Sequence, residues 1–551
     1  MKSKTAHTQP PGGIPADSIK HGEVYTQRWV VDMVLDLVGY TPDQNLADLT
    51  ITDPACGTGA FLIAIVERLI QSCRKFDKAL PPAGIRAFDL LERNVDASRR
   101  GVEAALVGEG WERQAARECA AAWVKQGDYL LQDRHDPTDL VVGNPPYIRI
   151  EDVPTARMDE YRRRNTTMTG RSDIYVGFYE QGLKALKPGG KLGFICADRW
   201  MRNQYGRELR KLISEDYSVD SLIVMHDVDA FEDRVAAYPA ITVIRNGIQG
   251  DAVVVDTSKE LQQRHSEELV SWIRSSETVS KEHTAFRAAR LPHWFDGSAS
   301  WPTGSPERLA LLEELGDRFP TLEETGVKVG IGVATGADSV FITRDSSLVE
   351  GDRLLPLSMV KDARTGEFLW GGQYLINPWT EDGSLVDLTE YPRLDSYLQE
   401  NRATLERRHV ARKNSDRWYR TIDKVDANLT GRAKLLLPDM RLNIHPTLET
   451  GGYYPHHNLY YMVSDRWDLE VLGGILLSQL AQTFVEAYSV RMRGGTLRFQ
   501  AQYLRRIRVP QPDALTSDTK VELAEAFRLR DGQRATSATL GAYGIGRLPA
   551  H

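Results

Sequence analysis

Asn144-Pro145-Pro146-Tyr147 stands at the end of the apolar run Leu140-Val141-Val142-Gly143. An apolar run that stops at a rigid polar turn predicts a buried strand delivering side chains to its carboxyl edge. Open α/β sheets bind ligands at that edge. The prolines fix φ and lack N–H groups, so backbone carbonyls there point outward with no local donor. Asn144 adds a side-chain carbonyl, and Tyr147 adds a flat aromatic face. Two acceptors beside a stacking surface suit a planar group bearing an amino group: adenine, cytosine or a glutamine amide. Taken alone, the tetrapeptide reads as readily as a stiffened turn after a core strand. The residues upstream decide between the two.

Upstream, the short strand Leu49-Thr50-Ile51-Thr52 runs into Asp53-Pro54-Ala55-Cys56-Gly57-Thr58-Gly59 and then a helix through Ile70. Gly57 and Gly59 let the backbone approach a ligand, and the helix start offers free N–H groups. Leu62 stands where a dinucleotide fingerprint needs its third glycine, and no phosphate-loop GK[ST] follows. An acid at the strand end with two glycines suits a ligand with an amino-acid end and a ribose but no pyrophosphate. S-adenosylmethionine fits that description. A second strand, 84–88, ends in Asp89, placed to accept from ribose hydroxyls. Asp128, one loop before the Asn-Pro-Pro-Tyr strand, is placed to accept from an adenine amino group. Singly, each carboxylate reads as a cap or a surface acid. Their order ahead of Asn144 favours the ligand reading.

The elements that must position these residues follow from periodicity. Residues 21–40 begin as a turn and continue as a helix with Val30, Val31, Val34, Leu35 and Val38 on one face. A helix opening at Asp173 stops at Lys187-Pro188-Gly189-Gly190, and strands follow at 191–196, 221–225 and 240–244. Residues 25–245 thus alternate as a doubly wound α/β domain. Residues 246–320 lose that rhythm and read as a charged bridge. A glycine-rich hairpin over 329–342, short apolar runs and a helix over 467–488 predict a mixed second domain, and the last thirty or so residues read as a helix and a frayed tail.

Composition narrows the class. The 551 residues are 41% hydrophobic and 26% charged, an ordinary globular balance with room for two or three domains. No apolar run reaches the roughly 18 residues of a membrane span, and the N-terminus lacks the apolar stretch of a signal peptide. Cys56, Cys73, Cys119 and Cys196 form no CxxC pair, which predicts a reducing cytoplasm and no metal site. The net charge of −7 argues against a nucleic-acid partner only in total. Arginines concentrate in 149–171, 402–420 and 491–508, near Tyr161, Trp418, Tyr419, Phe499 and Tyr503, as a phosphate-tracking surface with stacking aromatics requires. Solvated helix faces are the plainer alternative.

The order GEVYT, DPACGTGAFL, an acid after strand two, GDYL and NPPY resembles the gamma class of adenine-N6 DNA methyltransferases of restriction–modification systems, the TaqI-like group. GIGVATGADSVFI, Arg417-Trp418-Tyr419 and RIRVPQP resemble that family's specificity domain more loosely. The resemblance implies a class I, Rossmann-like S-adenosylmethionine-dependent domain at 21–250 after a flexible tail, 1–20. A bridge at 251–320, a mixed α+β target-recognition domain at 321–515 and a C-terminal helix and tail at 516–551 would follow. By position, Thr26, Asp53, Ala55, Gly57 and Gly59 would hold the methionine end, Asp89 the ribose and Asp128 the cofactor's adenine. Asn144 and the Pro145 carbonyl would grip the target amino group at a turn set by Pro146, Tyr147 would stack on the flipped base, and Phe231 would be the second aromatic. Gln27 departs from the family, where proline usually follows the threonine. The implied partners are double-stranded DNA and a cognate restriction endonuclease on a separate chain, for a cytoplasmic monomer. The rival readings are an RNA-adenine or protein-glutamine methyltransferase, or a catalytically silent DNA-binding defence component. No cysteine follows a proline, as the nucleophile of cytosine-C5 enzymes does.

Overall fold

A computed structural model of the chain describes residues 24–132, 135–232, 238–275, 278–292, 294–295, 297–489 and 496–549. The expected tail, 1–20, lies outside them. The chain divides into two units, Met1–Ala310 and Leu311–His551. No helix among the described residues is long and apolar enough to cross a membrane.

The first unit is built on one ten-stranded sheet. Its strands are β1 (Ile51–Asp53), β2 (Ile85–Asp89), β3 (Val124–Gln126), β4 (Thr138–Gly143), β5 (Leu186–Ala197), β6 (Ser218–Val224), β7 (Pro239–Arg245), β8 (Ala252–Thr257), β9 (Ser280–His283) and β10 (Phe286–Leu291). The spatial order is β3-β2-β1-β4-β5-β7-β6-β8-β10-β9. Strands β1 to β5 run parallel, and β7 is inserted antiparallel between β5 and β6. The chain winds outward from β1 to β3, then crosses back to β4. That reversal opens a crevice at the carboxyl ends of β1 and β4, where such sheets take ligands.

Both faces of the sheet are buried, as parallel strands require. Val142 packs into one apolar core and its neighbour Val141 into the other. The first core takes α1 (Arg28–Val38) and α2 (Ala60–Phe76), and α1 buries all five residues of the expected apolar face. Helices α3 (Glu92–Gly108) and α4 (Arg113–Trp123) separate β2 from β3. The second core takes α5 (Thr155–Arg164) and α6 (Tyr175–Lys184).

Five expectations change, the last of them in the second unit. The segment read as a bridge supplies β8, β9 and β10: β8 pairs parallel with β6, and β10 lies antiparallel between β8 and β9. The β-branched run Val253-Val254-Val255 is buried there, and the surrounding charge hid its period. The C-terminus holds two helices, Ser517–Leu529 and Gly532–Tyr543, which bury Leu523, Phe527 and Tyr543 in the second unit's core. The 467–488 helix is two, Leu469–Leu477 and Gln479–Tyr488, because Ser478 caps the second by accepting from the Ala481 N–H at 3.2 Å. Tyr161, Trp418, Phe499 and Tyr503 are buried, so they offer no stacking surface. The Arg402 guanidinium lies over the Trp418 ring instead, 4.9 Å from its centroid.

The second unit carries β11 (Val327–Ile331), β12 (Ile342–Thr343), β13 (Leu354–Ser358), β14 (Tyr374–Ile376), β15 (Lys434–Pro438), β16 (Met440–Arg441), β17 (Thr447–Glu449), β18 (Tyr454–Pro455), β19 (Leu459–Ser464) and β20 (Leu497–Arg498). They form two four-stranded sheets, β11-β19-β15-β17 and β12-β14-β13-β18, and the pair β16-β20. The expected hairpin over 329–342 does not form, because β11 pairs with the distant β19. Gly332 serves close approach rather than a turn: a Cβ there would meet the Pro455 carbonyl at 2.2 Å.

Candidate active site

Four strand ends meet at the crevice. β1 ends in Asp53, β2 in Asp89, β3 leads to Gly127-Asp128, and β4 delivers Asn144. Together they open a cavity of 740 Å³ whose lining includes Thr26, Asp53, Ala55, Gly57, Asp89, Asp128, Asn144 and Pro146. Gly59, Pro145, Tyr147 and Phe231 stand outside that lining. Gly59 starts α2 at φ 106°, where any side chain would be strained. Pro145 is buried. Tyr147 meets both Phe231 and Tyr175 edge-on, with centroids 6.4 Å apart in each pair.

The carboxylates differ in what they lack. Asp53 is 1% exposed, and its Oδ1 accepts from the Ala55 N–H at 3.3 Å. Its Oδ2 is buried with no hydrogen-bond partner. Burial first, then the nearby Asp89, push this carboxyl up to about 8 against the opposing Ala55 bond. Glycine at 143 keeps β4 clear of it: a Cβ there would stand 3.0 Å from Asp53 Oδ1, a tight contact. Asp89 accepts from the Gly57 N–H at 3.0 Å, the Leu91 N–H at 2.9 Å and Asn94 Nδ2 at 3.1 Å. Asp128 accepts from the Leu130 N–H at 3.1 Å and the Tyr161 hydroxyl at 2.6 Å. Burial and that bond raise the Tyr161 phenol.

Asn144 is held by its amide nitrogen. Nδ2 donates to the Val24 carbonyl at 3.0 Å and to Thr26 Oγ1 at 3.1 Å. A backbone carbonyl can only accept, so the amide is fixed with its nitrogen toward Val24. Asn144 Oδ1 is left buried with no partner, and so is the Tyr147 hydroxyl. Thr26 therefore orients Asn144 as well as lining the cavity. The segment carrying it is pinned across the site by a bridge between Thr26 and Phe231. Flanking bonds run from the Gln27 N–H to the Ala230 carbonyl at 3.0 Å and from the Glu232 N–H to the Tyr25 carbonyl at 2.9 Å. Gln27 supplies an N–H that a proline could not, which gives the departure from the family pattern a structural use.

Residues 15–80 match the family model described as N-6 DNA methylase, and residues 110–231 the Eco57I restriction-modification methylase. The type II methyltransferase M.PaeR7I of Pseudomonas aeruginosa is 44% identical, over 97% of this chain and 93% of its own. M.XhoI of Xanthomonas vasicola is 40% identical over 96% and 97%. The chain belongs to the type II DNA methyltransferases. Its fold matches that of the type IIL restriction-modification enzyme MmeI, solved in complex with DNA, at a TM-score of 0.57 and 10% identity over 95% of this chain and 74% of that one.

A type II methyltransferase of the N6-adenine group takes its methyl from S-adenosylmethionine, and the cavity suits that cofactor. The buried Asp53 Oδ2 lacks a donor, as an ammonium group would provide. Asp89 and Asp128 stand at the neighbouring strand ends with acceptor oxygens. Other residues, none of them assigned to this site by the sequence, also support it. Val24 holds Asn144, Asn94 and Tyr161 hold the two carboxylates, and Phe178 joins the lining. Val24 acts through its backbone and Tyr161 from a helix 33 residues beyond Asp128, so neither carries a local signature.

Proposed function

We propose that the chain is a gamma-class, TaqI-like enzyme that methylates a flipped adenine in a short duplex recognition sequence. The observation that carries this reading is Asn144, whose donors are tied down and whose carbonyl oxygen is buried and unanswered. An adenine amino nitrogen is a poor nucleophile because its lone pair is delocalised into the ring. Asn144 Oδ1 and the Pro145 carbonyl accept its two hydrogens, drawing them out of plane and localising the lone pair for in-line attack. S-adenosylmethionine would supply the electrophilic methyl group, its sulfur keeping the S–CH3 bonding pair and leaving as a neutral thioether, and the methylated nitrogen would then give up one proton. Positioning and electrostatics then carry the rate without a covalent enzyme intermediate.

A base inside a duplex is out of reach, so it must leave the stack. Tyr147 presents a face to it and Phe231, turned 76° away, an edge. Thr26, Asp53, Ala55, Gly57 and Gly59 hold the methionine end, Asp89 the ribose and Asp128 the cofactor's adenine. Target recognition falls to residues 321–515. There Arg407, Arg412, Lys413 and Arg417 are exposed, which suits phosphate contacts. Arg408 is committed to the Thr335 and Trp418 carbonyls, at 2.8 Å each. The enzyme works as a cytoplasmic monomer and protects host DNA from a restriction endonuclease on a separate chain.

The test is methyl transfer from labelled S-adenosylmethionine to unmethylated genomic DNA, followed by mapping, with Asn144→Ala as control. N6-methyladenine at one short motif, lost in the variant, is the expected result. Label on RNA or on protein glutamine instead overturns the DNA assignment. Cofactor binding without label on any substrate would point to a silent defence component.

A further inference from the structure

In the second unit, Asp338 comes together with His456 and His457, which lie 118 and 119 residues further along the chain. Asp338 opens the single helical turn Asp338–Phe341. The histidines fill the connection between β18 and β19. One ligand atom from each of the three residues lies within 4.8 Å of the others. His456 Nε2 is 3.1 Å from Asp338 Oδ2, and the two imidazole rings are 4.1 Å apart at 54°.

The backbone around the cluster is braced. The Val333 N–H donates to the Pro455 carbonyl at 2.9 Å, and the His457 N–H to the Val333 carbonyl at 3.1 Å. Asp338 Oδ1 accepts from the Thr335 hydroxyl at 2.5 Å, which leaves Oδ2 toward the histidines. His456 is 2% exposed, and Nδ1 of each histidine is buried without a hydrogen-bond partner. A buried His456 and a half-buried His457 that each leave a ring nitrogen without a partner are costly unless something else engages them.

We propose that Asp338, His456 and His457 bind one divalent cation of the zinc class, with a fourth position open to solvent. Two imidazoles and a carboxylate form a nitrogen–oxygen set that suits zinc, and a hard ion such as magnesium prefers oxygen ligands. In a tetrahedral zinc site, ligand atoms stand roughly 3.3 Å apart. The His456–Asp338 pair already meets that spacing. The half-buried His457 and the exposed Asp338 have freedom to close the rest. The ion would clip the glycine-rich segment 332–338 to the β18–β19 connection. No CxxC pair announces such a site, and its residues come from two distant segments.

The full chain, stripped with a chelator and dialysed, is titrated with Zn2+, with Co2+ as a spectroscopic probe and Mg2+ as control. One equivalent of Zn2+ should bind and raise Tm, and Co2+ should show the visible bands of tetrahedral coordination. Asp338→Asn and His457→Gln, both at accessible positions, should each weaken binding roughly tenfold or more. Their far-ultraviolet spectra without metal should match the parent. Absence of stoichiometric Zn2+ binding, or unchanged affinity in both variants, would overturn the proposal. Neither readout depends on methyl transfer, so this test and that of the catalytic reading fail separately.

Discussion

Replacing Asn144 by alanine removes an acceptor whose value lies in the transition state, and replacing Thr26 by valine removes one of the two groups that aim it. The two losses differ in size. Deleting a preorganised group that stabilises developing charge costs about 2.7–4 kcal/mol, so Asn144→Ala should lower the single-turnover rate about 10²–10³-fold. Asn144 Nδ2 keeps its bond to the Val24 carbonyl when the Thr26 hydroxyl is gone. One neutral hydrogen bond is worth about 0.5–1.5 kcal/mol, which predicts a loss of about 2–12-fold for Thr26→Val. The assay is methylation of a duplex carrying the recognition motif, at saturating cofactor and with enzyme in excess. The double variant decides how Thr26 acts. If it works through Asn144, the double variant is no slower than Asn144→Ala alone. A full further loss in the double variant, or Asn144→Ala within a few-fold of the parent, would refute the reasoning.

Two other outcomes follow from buried charges. Asp53 sits at about 8, above the usual carboxylate range. Its raised value makes a contribution to folding that is complete below about pH 4 and is lost as pH rises through about 8. Capture of an ammonium group would draw the carboxyl into its ionised form. Calorimetry in two buffers should therefore show proton release on S-adenosylmethionine binding at about pH 6.5 and little at about pH 9. Equal proton counts would place the ammonium elsewhere. Lys434 and Glu449 face each other across β15 and β17, both fully buried and ion-paired. Burial lowers the lysine and raises the glutamate. Lys434→Met should cost about 3–5 kcal/mol in chemical denaturation by stranding Glu449, and Glu449→Leu added to it should restore most of that. Unchanged stability in the single variant would contradict the pairing.

Much of the catalytic unit was legible because its signals are local. The apolar run before Asn144 and the glycines after Asp53 each mark a strand end within a few residues. What escaped was carried by distance or by backbone. Thr26 could be placed from its neighbours, but its grip on Asn144 spans 118 residues. The 251–320 segment was misread because β10 is a short, arginine-bearing strand whose period is set by its neighbours. In the second unit, the glycine-rich stretch 329–342 read as a hairpin. Gly332 exists for close packing against Pro455, a demand that no local pattern announces.

The three strands beyond β6 also have a consequence for how molecules meet. Without them β6, seven residues long and almost wholly buried, would end the sheet as an apolar template for another chain's strand. The terminal strands among the described residues are instead β9, Ser-Lys-Glu-His, and β3, Val-Lys-Gln. Both are short, and each displays a lysine, which discourages edge-to-edge addition. A sheet this wide thus presents unattractive borders at both ends, and crowding along DNA need not drive one copy to aggregate with the next.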